Sequence, residues 1–350
     1  MMKKPNKGIS VIVCCYNSAN RLVETIKHLA GQNVPHDIPW ELVMVDNAST
    51  DNTAEIALSQ WEKYNSATPF RITRQPILGK IHALNKGLKT ARYEFLLICD
   101  DDNWLHRDYV KTAYEVMEKH PEVGVAGGRG QAVFEIDAPA WFTEYETHFG
   151  VGPQADNSGY VSPIRNWVYG AGSVIRRSCW EALTAAGFHW MAMGPVGSRL
   201  SGGGEDLELC YAMKLAGYEI WYEERLRFYH FIAKERLDWK YFLRLTRTTA
   251  GLVVSLKAYE LLLHGYLENT CSKIGVRILI LKIIYNNFRR LFRSIAQKFI
   301  RLTFKTEGNQ IDLEIVRSLA AIRICIFKFH ELEKNFFITL NFAKLLMNSR

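Results

Sequence analysis

Short apolar runs alternate with amphipathic stretches through the first 130 residues. Residues 9–15 (ISVIVCC), 41–45 (ELVMV), 70–73 (FRIT), 95–98 (FLLI) and 123–126 (VGVA) are brief and mostly β-branched or aliphatic, the pattern of strands buried on both faces. Between them, apolar positions recur at helical spacing. Leu22, Ile26 and Leu29 share a face behind a possible Ser18 cap, a second helix carries Ile56, and residues 81–91 form a third. Residues 107–119 form a fourth, with Val110, Ala113, Val116 and Met117 inward. Strands alternating with helices predict an α/β fold with a mainly parallel sheet.

The pattern changes near residue 128. Segments shorten and fill with aromatics and glycines (AWFTEYETHFG, GPQADNSGY), as expected of a loop-rich substrate site over a sheet edge. Residues 174–175 read as a strand, 178–186 as a helix, 205–215 as a helix after a glycine run, and 218–229 as a hairpin-like pair of strands. Residues 236–350 are mostly helical. The expected division is a catalytic domain at 1–235, with halves at about 1–128 and 129–235, and a basic helical region at 236–350.

Charge supports that division. Residues 231–350 hold 21 Lys and Arg against 9 Asp and Glu, net +12, in a chain whose total is +8; residues 1–230 carry −4. The basic part contains VRILILKIIYNNFRRLFRSIAQKFIR. There Val276, Ile280, Ile283, Ile284, Phe288, Leu291, Ile295 and Phe299 recur at helical spacing, with Arg289, Arg290, Arg293, Lys298 and Arg301 between them. A helix lying on an anionic membrane fits this pattern; packing on the catalytic domain with a solvated basic face is the alternative. The seven cysteines include no C-x-x-C pair and three lie in or beside apolar runs, which fits buried free thiols in a reducing compartment rather than disulfides or zinc. The opening apolar run is too short for a signal peptide and lacks a cleavage site, and no run reaches the ~18 apolar residues of a membrane span. The expected location is cytoplasmic, peripheral on the inner face of the plasma membrane.

Three acidic motifs carry the chemistry. Asp100-Asp101-Asp102 follows the strand FLLI directly, at the sheet end where ligands bind. Clustered carboxylates there repel one another unless a hard divalent cation or a loop of helix caps uses them. Asp46-Asn47-Ala48-Ser49-Thr50-Asp51 closes another strand and offers hydrogen bonds to a nucleobase, although taken alone it fits capping of its own turn and the next helix better. Ser201-Gly202-Gly203-Gly204-Glu205-Asp206 sets two carboxylates at a helix N-terminus behind a close-approach loop. One of them could accept a proton from a hydroxyl; a flexible loop with an acidic cap reads equally well. His230 is either a further metal ligand or a satisfied core histidine. Trp141, Trp167 and Trp190 fit core packing better than sugar stacking.

Together, in this order and spacing over about residues 8–232, the motifs resemble family 2 glycosyltransferases of the GT-A nucleotide-diphospho-sugar transferase fold. The resemblance runs through VIVCCYNSANRLVETIKHL, VMVDNASTDNTAEIA, GKIHALNKGLKTARYEFLLICDDDNWLHRDYV and GGGEDLELCYAMKLAGYEIWY. It implies an inverting transfer from a nucleotide-sugar donor to a glycan or lipid-linked acceptor, in bacterial surface-polysaccharide synthesis. It implies base contacts by Tyr16 and Asp46, with Asn47 beside them, and a ribose or sugar contact by Asp100 or Asp101. Asp102 would bind Mg2+ or Mn2+, Asp206 would be the catalytic base, and Glu205 would hold the acceptor. The sequence departs from the family at VDNASTD, where VDDGSTD is commoner, and at Leu84-Asn85, where Arg-Asn is common; one donor contact is there either missing or supplied by Lys80. A sugar-1-phosphate nucleotidyltransferase is disfavoured because no Gly-rich basic loop follows the first strand. A nucleic-acid binder is disfavoured because the aromatic and basic residues of the tail follow a helix period, and a dead scaffold because Asp102 and Asp206 are intact.

Overall fold

A computed structural model describes residues 6–192, 194, 203–265, 272–301 and 307–348. The chain runs β1 (Asn6–Cys15), α1 (Leu22–Ala30), β2 (Trp40–Asp46), α2 (Thr53–Lys63), β3 (Phe70–Arg74), α3 (Lys80–Thr90), β4 (Tyr93–Asp100), β5 (Asn103–Leu105), α4 (Tyr109–Lys119) and β6 (Val123–Phe134). It continues through α5 (Phe142–Tyr145), β7 (Gly159–Tyr160), β8 (Val174–Arg176), α6 (Arg177–Ala185), α7 (Glu205–Leu215) and β9 (Glu219–Ile232). Five helices follow: α8 (Trp239–Ser255), α9 (Lys257–Leu263), α10 (Lys273–Arg301), α11 (Gln310–Phe327) and α12 (Phe329–Asn348).

Alternation along the strands places core on both faces of one sheet. Ile9, Val11 and Val13 of β1 pack with Leu22, Ile26, Trp61 and Tyr109 from α1, α2 and α4. Ile12, with Val45 and Ile98, faces Ile81, Leu84, Leu183 and Met213 from α3, α6 and α7. The strand order is β3-β2-β1-β4-β8-β6-β9-β5, with β7 on β9. The expected parallel sheet occupies β1 to β4 and recurs between β6 and β9. β8 runs antiparallel to both β4 and β6, so the sheet as a whole is mixed. The chain steps from β1 out to β3 and returns to β4 on the other side of β1. That reversal opens a crevice at the strand C-termini, where Cys15 is opposite Asp46 and Cys14 opposite Asp100.

Two local expectations are corrected. Residues 218–229 do not turn back as a hairpin: β9 is one strand, with three extra residues accommodated between the pairs Gly127–Tyr222 and Arg129–Arg227. The polar run Glu223-Glu224-Arg225 that reads as a turn forms this bulge, closed by an Arg225–Glu223 ion pair at 2.7 Å. Gly128 permits it, because a Cβ there would fall 2.0 Å from the Leu226 carbonyl oxygen. Ser18 does not cap α1 through its side chain; its hydroxyl instead reaches Asp101 and accepts from the Tyr16 amide at 3.0 Å.

The helical region packs on the sheet-containing part through aromatic contacts. Trp141 stacks on Phe242 of α8 at 5.4 Å, and Phe149 and Trp239 close the same cluster. Of the apolar positions expected along one face of α10, Val276, Ile280 and Leu291 are buried and Ile283 and Ile284 half-buried, whereas Phe288, Ile295 and Phe299 are exposed. The sequence shows one periodic row, yet the helix has two apolar faces. The inner face meets α11 and α12; the outer one adds Ile274, Ile278, Leu281, Tyr285 and Phe292. No helix among the described residues is long and apolar enough to cross a membrane. The described cysteines are unpaired, five buried and Cys14 half-buried.

Candidate active site

The crevice forms a cleft of about 420 Å³ lined by Tyr16, Asn47, Lys80, Asp100, Asp101, Asp102 and His230, with Arg21, Arg236 and Tyr241. Strand register assembles it. β5 pairs antiparallel with β9 so that Asn103 faces His230, and the Phe231 amide donates to the Asp102 carbonyl at 2.9 Å. His230 is thereby brought to the aspartate loop from more than a hundred residues away.

Each aspartate meets a different cation. Arg21 Nη2 lies 2.9 Å from Asp101, Lys80 Nζ 3.0 Å from Asp100, and Arg236 Nη1 3.2 Å from Asp102. Burial and the neighbouring Asp102 raise the pKa of Asp101 above its ordinary value. Burial acts the same way on Asp102, but His230, Arg236 and Arg21 outweigh it and hold that carboxyl well below the usual range. Arg21 and Arg236 were not singled out from sequence. Their pairings span 80 and 134 positions, and no local pattern marks them.

Lys80 ties the motifs together. Its ammonium also lies 3.0 Å from Glu205 Oε1, so the strand-end aspartates and the carboxylates after the glycine run share one site. Burial alone would lower its pKa; Asp100 and Glu205 raise it well above normal. Asp206 is part-exposed beside Glu205 and accepts from the Gly170 amide at 2.9 Å and the Leu207 amide at 2.8 Å. Burial and the adjacent Glu205 push its carboxyl up to about 6 against those two hydrogen bonds. Gly204 starts α7 at φ 93°, and a Cβ there would fall 2.0 Å from Leu252. Ser201 and Gly202 of the glycine run lie outside the described residues.

The second motif is placed differently. Asn47 lines the cleft but is buried, and its amide accepts from Gly79 N at 2.7 Å and donates to the Gln75 and Ile77 carbonyls at 3.1 and 2.7 Å. It fixes the loop entering α3. Asp46 closes its own turn by accepting from Ser49 N at 3.1 Å. Asp51 binds Thr53 at the start of α2. Asn85 accepts from Trp190 Nε1 at 3.1 Å. Trp141 and Trp190 pack among other aromatics, and Trp167 lies beneath the Arg165 guanidinium at 4.1 Å.

The donor set suits a divalent cation. Asp102 Oδ2 and His230 Nε2 lie 3.5 Å apart, and both face the Arg236 guanidinium, so a cation already occupies the point where they converge. His230 Nδ1 has no partner among the described residues. Among the described residues no three acidic, cysteine or histidine side chains already form a metal cluster. A carboxylate completed by diphosphate oxygens and water is a common way to hold Mg2+, and His230 Nε2 would add a nitrogen beside Asp102.

The cleft thus sits at a sheet switch point, walled by strand-end aspartates, with Glu205 at the start of α7 joined to it through Lys80. The family model for glycosyl transferase family 2 matches residues 10–180. Poly-β-1,6-N-acetyl-D-glucosamine synthase of Staphylococcus epidermidis is 25% identical over 222 residues, 63% of this chain and 48% of that protein. The chain therefore spans about half the length of the curated relative it matches. Two solved structures share the fold. The mannosyltransferase PcManGT from Pyrobaculum calidifontis, in complex with GDP-Man and Mn2+, has a TM-score of 0.57 at 18% identity, covering 93% of this chain and 88% of that one. S. aureus TarS 1–349, in complex with UDP-GlcNAc, has a TM-score of 0.51 at 19% identity, covering 98% and 91%.

Proposed function

We propose that the chain transfers a sugar from a nucleoside-diphosphate donor to a hydroxyl of a glycan or lipid-linked acceptor, with inversion at the anomeric carbon, in bacterial surface-polysaccharide synthesis. The observation that carries this reading is Lys80, which joins Asp100 to Glu205 at one cleft and so puts the leaving-group and acceptor sides of a displacement face to face. Asp206 takes the proton of the acceptor hydroxyl as its oxygen forms a bond to C1 and the bond to the nucleoside diphosphate breaks. A carboxyl pushed up to about 6 is a stronger base than an ordinary aspartate, yet ionised at neutral pH.

Asp102 and His230 would hold a divalent cation, which when bound offsets charge on the leaving diphosphate. Tyr16 supplies a ring at the cleft wall for the base. Relatives with UDP and GDP donors both share the fold, so the base is a question for the assay. Membrane contact is part of the proposal. The outer row of α10 (Ile274, Ile278, Leu281, Tyr285, Phe292, Phe299) lies on a helix with eight basic residues and no acidic one, which suits an anionic bilayer holding a lipid-linked acceptor. Radiolabelled UDP-GlcNAc and GDP-Man, each with Mn2+, test the activity. Release of sugar or transfer to added glycan is expected with at least one donor, and about 10²–10⁴-fold more slowly with Asp206→Asn; labelled donors left intact across a nucleotide-sugar panel would overturn the reading.

A further inference from the structure

We propose that a second cavity, lined by α8, α9, α10 and α11, binds a phosphate ester. It has a volume of about 360 Å³, and Lys257, Arg290 and Arg317 bring three cations to it from three different helices. No carboxylate lines it among the described residues, in contrast to the aspartate-walled cleft. Lys257 and Arg317 have local partners, Glu260 at 2.5 Å and Glu314 at 3.0 Å. Arg290 has no carboxylate partner among the described residues, so positive charge is left over for a ligand. Two guanidinium groups at one cavity favour phosphate, whose oxygens match their paired N–H donors.

An independent observation points the same way. Thr246 of α8 lines this cavity at 2% exposure, and its hydroxyl has no hydrogen-bond partner among the described residues. A buried hydroxyl without a partner is unfavourable, and a ligand oxygen would supply one. His148 Nε2 lies 3.3 Å from Arg317 Nη2 and steadies that guanidinium at the rim. Val254 and Ile283 give the floor an apolar side for a carbon skeleton. The volume suits a phosphate carrying a sugar- or polyol-sized group rather than a bare ion.

Geometry links the cavity to the cleft. α8 contributes Tyr241 to the cleft and Thr246 to Val254 to the cavity, a separation of about 8–20 Å along the helix at 1.5 Å per residue. The phosphate belongs either to an acceptor chain lying along α8, which rests on the transferase reading above, or to a free phosphorylated metabolite.

Thermal shift and calorimetric titration of the full chain with glycerol 3-phosphate, against sodium chloride at matched ionic strength, test the site. Wild type is expected to gain stability. Arg290→Gln is expected to weaken binding at least about tenfold, and Thr246→Val to weaken it while leaving the ligand-free Tm equal or higher. A response equal in wild type and both variants, or equal to that of chloride, overturns the proposal. Because Arg290 is exposed, its variant folds even if Thr246→Val does not. Acceptor kinetics identify the source. A KM raised in Arg290→Gln for phosphate-bearing but not neutral glycans assigns the phosphate to the acceptor; an unchanged KM with lost glycerol phosphate binding assigns it to a free ligand. Donor hydrolysis by water is expected to be unaltered in Arg290→Gln. Its absence from wild type as well would count against the transferase reading and leave the binding result standing.

Discussion

Replacing Asp206 by Asn tests the chemistry most directly. The carboxylate is aimed by two backbone amides, Gly170 N at 2.9 Å and Leu207 N at 2.8 Å. Asparagine keeps the shape and removes the basicity. Positioned general-base catalysis is worth about 10²–10⁴-fold, so kcat should fall by that factor, equivalent to about 2.7–5.4 kcal/mol of transition-state stabilisation. One side of the amide must present NH2 to a backbone N–H, so stability should also drop by about 1–3 kcal/mol. Turnover is therefore compared well below both melting temperatures, with donor affinity measured separately. A pH arm strengthens the test. With the carboxyl pushed up to about 6, wild-type kcat/KM should fall about tenfold per unit below that pH and level off above it, while the residual rate of Asp206→Asn stays flat. A variant within tenfold of wild type, or one that keeps the acidic limb, would refute Asp206 as the base.

Four further outcomes are expected. Gly204→Ala meets Leu252 and a left-handed backbone together, so a loss of about 2–5 kcal/mol in denaturant unfolding is expected, partly restored by Leu252→Ala. Glu208 is fully buried, and burial pushes its carboxyl up to about 7 despite hydrogen bonds from Met191 N and Ala192 N. The folded state therefore holds a proton that the unfolded chain releases near 4.5. Stability should decline as pH rises from about 4.5 to about 7, by about 3 kcal/mol, and Glu208→Gln should flatten that slope in urea titrations at several pH values. Arg236→Gln removes the cation facing Asp102 and His230, and should tighten Mn2+ binding to nucleotide-free protein about tenfold by paramagnetic titration, about 1.4 kcal/mol. Phe292→Asp with Phe299→Asp should abolish co-sedimentation with phosphatidylglycerol vesicles while leaving donor hydrolysis intact.

Much of this site was legible in the chain. Carboxylates directly after a buried run mark the ligand edge of a parallel sheet, and a pair after a glycine run marks a helix start. That Asp100 and Glu205 meet is seen only in the structure, where Lys80 joins them. The illegible parts share a physical cause. Arg21, Arg236 and the Asn103–His230 register depend on pairing across long stretches of sequence, which leaves no periodic trace. The outer face of α10 was merged with the inner one because a periodic row shows that a helix is apolar without showing how many neighbours cover it. β9 was cut in two because three polar residues mimic a turn, and only the absent side chain of Gly128 lets the partner strand absorb them.

The hold on Asp206 has an evolutionary consequence. Main-chain amides fix its direction, so the surrounding loops can exchange side chains freely without re-aiming the carboxylate, provided position 170 stays glycine; a methyl group there would sit 3.0 Å from the Asp206 Cβ. Exposed side chains around the site can then change while the direction of this carboxylate is inherited intact.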